Sequence, residues 1–155
     1  MANYYGYTRT NYFHIRAGKE EKLRKLIAAC ACDEDTLELW FETDSDGKPI
    51  YGFGANDAIQ GLPEKWTYEY DPRNDDAVED YDYSYGFFLD ELQKLIKPGD
   101  ACIITEVGHA KLCYLSANSM VITSKKISYV DLADAAKKRA KMLLHKRDWA
   151  TKNEY

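Results

Sequence analysis

TLELWFETDSDGKPIYGF, residues 36–53, decides the fold class. Two β-prone runs, Thr36 to Glu42 and Lys48 to Phe53, flank Asp44-Ser45-Asp46-Gly47, and Asp-Gly between such runs is a strong hairpin signal. An antiparallel pair is therefore expected near the middle of the first half. Upstream, Tyr4 to Ile15 is rich in Tyr, Thr and Phe, and Tyr12, His14 and Arg16 alternate with Phe13 and Ile15, the pattern of a strand with one buried face. Gly18 ends it, and Leu23, Leu26, Ile27 and Cys30 recur at i, i+3, i+4 and i+7 over a helix of roughly residues 19–31. The first third reads β-α-β-β, which resembles half of a ferredoxin-like arrangement.

Downstream, Phe88, Leu92, Leu95 and Ile96 fit an amphipathic helix from about Tyr85, stopped by Lys97-Pro98-Gly99. Three β-prone runs follow, Ala101 to Val107, Lys111 to Ser116 and Met120 to Thr123. They are parted by expected turns at Gly108-His109-Ala110 and Ala117-Asn118-Ser119. Ser128 with Asp131 resembles a capping box and opens a last helix whose buried stripe would be Leu132, Ala133, Ala136, Ala140, Leu143 and Leu144. The expected class is α+β, one domain over residues 1–155, with a mainly antiparallel sheet and helices packed on one face. Residues 54–84 carry Gly61, Pro63 and Pro72 without sustained periodicity and read as a long irregular insertion, acidic and tyrosine-rich.

That insertion holds the candidate site. Between Trp66 and Phe88 the chain interleaves rings with acids, and Arg73 alone opposes Glu69, Asp71, Asp75, Asp76, Glu79, Asp80 and Asp82. Trp66, Tyr68 and Tyr70 alternate, as do Tyr81, Tyr83, Tyr85 and Phe87, which would allow an acidic-tipped hairpin. Tyr supplies flat amphipathic contact area at low entropic cost, so Tyr68, Glu69, Tyr70, Asp71, Asp75, Asp76, Glu79, Asp80, Tyr81, Asp82 and Tyr83 are the expected partner-binding residues. The net charge of −5 is unevenly spread: Lys137, Lys138, Arg139, Lys141, Lys146 and Arg147 form a basic run on the last helix.

Catalytic and metal motifs are not legible. His14 reads as a polar-face strand residue, His109 as a turn residue and His145 as a helix-end cation. Cys30, Cys32, Cys102 and Cys113 lie in apolar stretches without zinc-knuckle spacing and read as reduced core thiols, so neither metal nor cofactor is expected. Gly52-Phe53-Gly54-Ala55 is too short for a phosphate-binding motif and reads as a loop, and Ser116, Ser119 and Ser124 lack a nucleophile-elbow context. The rings of Tyr4, Tyr5, Tyr7, Tyr12 and Phe13 invite base stacking, but with the basic run elsewhere they read as core and rim packing. No apolar run approaches the roughly 20 residues of a membrane span and the start lacks a signal-peptide pattern, so a cytosolic protein is expected.

Met1-Ala2-Asn3-Tyr4-Tyr5, Thr8-Arg9-Thr10-Asn11-Tyr12-Phe13, Glu106-Val107-Gly108, Lys111-Leu112, Tyr129-Val130-Asp131-Leu132 and Glu154-Tyr155 resemble segments of small proteins carried by phages and mobile elements of Gram-positive gut bacteria. The resemblance implies a setting in which small acidic proteins inhibit CRISPR or restriction systems, and it carries no functional residues. The expectation is a non-enzymatic binder of a basic host protein, such as a CRISPR or restriction nuclease, in the bacterial host cytosol. The alternative is a nucleotide or short nucleic-acid binder using the sheet aromatics, His109 and the basic last helix.

Overall fold

A computed structural model describes residues 4–77, 81–110 and 114–145. The elements are β1 (Tyr4–Thr10), α1 (Glu20–Ala29), β2 (Ala31–Cys32), β3 (Glu38–Thr43), β4 (Pro49–Ala55), β5 (Ile59–Pro63), β6 (Tyr83–Ser84), α2 (Tyr85–Gln93), β7 (Ala101–Ala110), β8 (Tyr114–Thr123), β9 (Ile127–Asp131) and α3 (Leu132–Leu144). Six strands form one sheet in the order β3-β4-β1-β7-β8-β9, every neighbour antiparallel, and β2-β5-β6 form a smaller sheet. The chain is thus α+β with a mainly antiparallel sheet. No helix among the described residues is long and apolar enough to cross a membrane.

The hairpin forms where its turn chemistry places it. Asp44 accepts from the backbone N–H of Asp46 and of Lys48, each at 2.9 Å, and Gly47 takes the left-handed φ of +77° that the reversal requires. Register then runs from Thr43↔Pro49 to Glu38↔Gly54. Beyond β1, Phe13 exchanges two 2.9 Å backbone hydrogen bonds with Tyr51, which carries the first strand's alternation past its formal end.

Several expectations are corrected. Residues 108–110 and 117–119 are not turns, because β7 and β8 are continuous ten-residue strands paired from Ala110↔Tyr114 to Ala101↔Thr123. The small polar residues find partners across the ladder instead, as in Thr105 Oγ1 to Ser119 Oγ at 2.9 Å. Residues 127–131 are strand rather than first helical turn, because they pair with β8. Asp131 is itself the N-cap, accepting from the Asp134 N–H at 3.0 Å. The expected buried stripe of α3 is absent among its described residues: Leu132, Leu143 and Leu144 are exposed. Residues 54–84 are less irregular than expected, since β4 runs to Ala55 and β5 and β6 frame the segment.

The core lies on one face of the main sheet. Leu23, Leu26 and Ile27 of α1 and Phe88, Leu89 and Leu92 of α2 meet Phe13, Tyr51, Phe53, Cys102, Ile104 and Ile122, all buried. Each large side chain so buried contributes about 1.5–3 kcal/mol relative to exposure. Leu62 and Trp66 join this cluster, tying the smaller sheet to the larger. The two buried threonines are paired: Thr8 Oγ1 donates to the Asp57 carbonyl at 2.7 Å, and Thr10 Oγ1 accepts from the Phe53 N–H at 3.0 Å.

Gly61 sits where β5 meets β6, at φ +119°, and a Cβ there would lie 2.1 Å from the Ser84 carbonyl oxygen. Gly61→Ala should therefore lower stability by about 2 kcal/mol or more, a loss of roughly 5 °C or more in Tm for a chain of this size. A thermal melt of the variant that matches wild type would contradict the close approach of the two strands.

Candidate functional site

The acidic segment is anchored at one end by a core residue. Trp66 is 5% exposed and packs edge-on against Tyr68, ring centroids 4.8 Å apart, and against Phe87 at 6.4 Å. Tyr68 is half-buried, with Lys22 Nζ 5.0 Å from its ring centre. Burial, then the neighbouring Glu91 charge, push its hydroxyl up to about 12. Trp66 and Phe88 thus belong to the core rather than to the exposed ring block.

Beyond Trp66 a turn closes on Thr67, whose N–H donates to the Tyr70 carbonyl at 2.7 Å. Asp71 then caps a short 3-10 turn, Pro72–Asn74, and takes a forked pair from the Arg73 guanidinium, Nη2 to Oδ2 at 2.6 Å and Nε to Oδ1 at 3.0 Å. That guanidinium holds the Asp71 carboxyl below its ordinary range. Tyr70 Oη donates to Asp75 Oδ2 at 3.3 Å, and Tyr81 Oη to the Arg73 carbonyl at 3.4 Å. Tyr83 lies in β6 opposite Pro63, 6.4 Å ring to ring from Tyr81. Glu69, Asp76 and Asp82 are exposed, and among the described residues none of them forms an ion pair. Glu79 and Asp80 lie outside the described residues.

A second surface gathers Tyr5, Tyr7 and His109, which the sequence offers for base stacking in the nucleic-acid alternative. The helices α1 and α2 cover one face of the main sheet, and the other presents Tyr5 and Tyr7, each 52% exposed, with Arg9, Val107, His109 and Leu115. Tyr5 and His109 are cross-strand partners with ring centroids 5.4 Å apart. His109 is therefore a strand residue, not a turn residue. Trp40 of β3 lies along Gly52 and Gly54 of β4. A Cβ at 52 would stand 2.5 Å from its Nε1, and one at 54 would stand 2.9 Å from its Cη2. The Arg9 guanidinium rests 5.5 Å from the Trp40 ring centre. With Tyr7, Glu38 and Asn56 these groups line a shallow depression.

No family model, curated protein or solved structure matches the chain. The site must be read from its own chemistry. A Gly-x-Gly alternation in a strand predicted to pair with a Trp-bearing strand was the available signal for the second surface, because alternate glycines clear one face for a large ring. Reading residues 52–55 as a loop concealed it. The cations of α3 are partly described: Lys138, Arg139 and Lys141 are exposed, Lys137 is half-buried, and Lys146 and Arg147 lie outside the described residues.

Of the titratable groups in the interior, Cys30 and Cys102 are buried and their thiols are raised by that burial. Cys32, half-buried, is pushed up to about 11 by burial and then by Asp57. These are poor nucleophiles. Cys113 lies outside the described residues, among which no cluster of three or more His, Cys, Asp or Glu could hold a metal. Glu106 Oε1 and Tyr85 Oη are buried without a hydrogen-bond partner, and burial raises the Glu106 carboxyl towards its neutral form.

His14 is not a free strand residue but is held between two carboxylates. Its Nε2 meets Asp44 Oδ2 at 2.7 Å and its Nδ1 meets Asp100 Oδ2 at 2.8 Å, while its own N–H donates to Asp100 at 2.6 Å. Imidazolium is the form that satisfies both carboxylates. Asp44 and then Asp100 raise the His14 pKa above 6.5. His14 lowers Asp44, and backbone N–H groups lower Asp100 against the opposing effect of burial. The His14 contribution is fully present below its unfolded pKa of 6.5 and is lost as pH rises through the raised folded value. The carboxylate contribution is present above their unfolded pKa of 3.8 and is lost as pH falls. The staple is therefore strongest from about pH 4 to 6.5. The Tm difference between wild type and His14→Gln should be greatest in that window and shrink towards pH 9; a difference constant from pH 5 to 9 would contradict an ionised staple.

Proposed function

We propose that this is a non-enzymatic binding protein whose acidic, tyrosine-rich insertion docks onto a basic protein partner. The observation that supports it is the way residues 66–77 and 81–83 are held. Trp66 and the buried Pro72 fasten the segment to the core, Asp71 and Arg73 rigidify its middle, and Glu69, Asp76 and Asp82 are left exposed with no ion pair among the described residues. Carboxylates presented on an ordered backbone lose less entropy on binding than those of a flexible tail. Grooves that neutralise phosphates are lined with Lys and Arg, so such a surface can compete for them, with Tyr70 and Tyr81 adding contact area.

The resemblance to proteins of phages and mobile elements directs the proposal to a nucleic-acid-handling defence protein of CRISPR or restriction type, met in the cytosol of a bacterial host. The frame under the insertion reads as ferredoxin-like. The order β1-α1-β3-β4-α2-β7 with sheet neighbours β3-β4-β1-β7 supports that reading, with β8, β9 and α3 as an extension and the segment between β4 and α2 as the insertion.

The test is affinity capture from a bacterial lysate, with the recovered protein identified by mass spectrometry and titrated at several salt concentrations. Combined Glu69→Gln, Asp76→Asn and Asp82→Asn should slow association several-fold and flatten its salt dependence, while Lys138→Gln with Arg139→Gln should change little. Unchanged binding by the acidic variant beside lost binding by the basic one would overturn the proposal.

A further inference from the structure

On the open face of the main sheet, β3 carries Glu38 and Glu42, whereas the part formed by β1, β7, β8 and β9 differs in charge from the rest of the molecule. In β1, β7, β8 and β9 the carboxylates are Glu106 and Asp131 alone. Thr8 pairs with Glu106, Glu106 with Asn118 and Asn118 with Asp131, and cross-strand partners share a face. Thr8 is buried on the helix-covered side, so both carboxylates lie there. In a protein of net charge −5, the outward positions of four adjacent strands thus carry no acid, and they do carry Arg9 and His109.

The same positions carry exposed rings in register. Tyr5 and Tyr7 are two residues apart on one strand, hence about 7 Å apart along it. His109 lies beside Tyr5 and Val107 beside Tyr7, and Ala117 and Ser119 continue the rows with small neutral side chains. Arg9, steadied over Trp40, closes one end. Rings at successive outward positions of a sheet stack on bases that are not already paired, and the lack of carboxylates across these four strands spares the phosphates repulsion up to the edge beyond Arg9, where Asp35 and Glu38 stand. A basic protein would find no carboxylate to pair with on these four strands, and a second copy would set Arg9 against a face equally lacking acids.

From this we infer that the outward face of β1 and β7 is a stacking platform for single-stranded nucleic acid, with Tyr5, Tyr7 and His109 against bases and Arg9 against a phosphate. The inference uses other strands and the opposite charge from the acidic insertion, so either can fail without the other.

Fluorescence anisotropy with labelled ten-nucleotide oligo-dT and oligo-U, beside a duplex of equal length, tests it. Wild type should bind single strands in preference to duplex. Tyr5→Ala and Tyr7→Ala should each weaken binding about tenfold, Tyr7→Phe should retain it, and Arg9→Gln should make the logarithmic salt slope shallower by about 0.7. Asp76→Asn should bind as wild type. Binding of only one of the two oligomers would support the platform and name its source. Absence of single-strand binding at low salt, alanine variants with wild-type melting and wild-type affinity, equal duplex binding, or a dimer that Tyr7→Ala dissociates without any oligonucleotide binding would each overturn it.

Discussion

Phe53 is the side chain on which the architecture turns. It is fully buried and meets Phe13 edge-on at 6.1 Å and 87° on one side and Phe88 at 6.0 Å and 80° on the other. These contacts bind β4, the segment after β1 and α2 into one packing unit, with geometry favoured by the ring quadrupoles. Leu23 and Leu26 bring α1 to the same cluster, and Cys102 and Ile104 bring β7. Because this cluster draws α1 and α2 to one side, the opposite side of the sheet is left to the alternate residues. Those positions hold Tyr5, Tyr7 and Arg9 where a sheet covered on both faces would hold aliphatics.

The legible parts of the fold were those with local causes. Asp46-Gly47 specified the hairpin, and the 3.6-residue spacing of Leu23, Leu26 and Ile27 and of Phe88 and Leu92 specified α1 and α2. The parts that failed were decided by partners distant in sequence. Ala117-Asn118-Ser119 has turn composition but lies opposite Val107, Glu106 and Thr105, and ten continuous pairs outweigh local preference. Ile127–Asp131 stays extended for the same reason. Leu132, Leu143 and Leu144 have helical spacing without a core to meet, so periodicity located the helix and overstated its burial.

The candidate sites show a similar division. Composition marked the acidic segment, but it could not separate Trp66, which anchors, from Glu69 and Asp76, which face solvent, nor show that Arg73 pairs with Asp71. From the sequence the rings of the sheet surface read as core and rim packing, because Tyr5 and Tyr7 are indistinguishable by type from core rings. Only the pairing of Gly52 and Gly54 against β3 shows that a large side chain is laid across that face. The two surfaces differ in chemistry: one offers carboxylates without an ion pair among the described residues, the other rings and a cation on strands whose outward positions hold no acid, with Asp35 and Glu38 only at its edge.

The claim beneath both surfaces is that the helices seal one face of the central strands β4, β1 and β7 and leave the other face open. Hydroxyl-radical footprinting of the free protein, read by mass spectrometry residue by residue, measures this directly. Tyr5, Tyr7 and Leu115 should be modified readily while Phe13, Phe53 and Phe88 stay protected under native conditions. Protection of Tyr5 and Tyr7 to the level of Phe53, or ready modification of Phe53, would contradict the account.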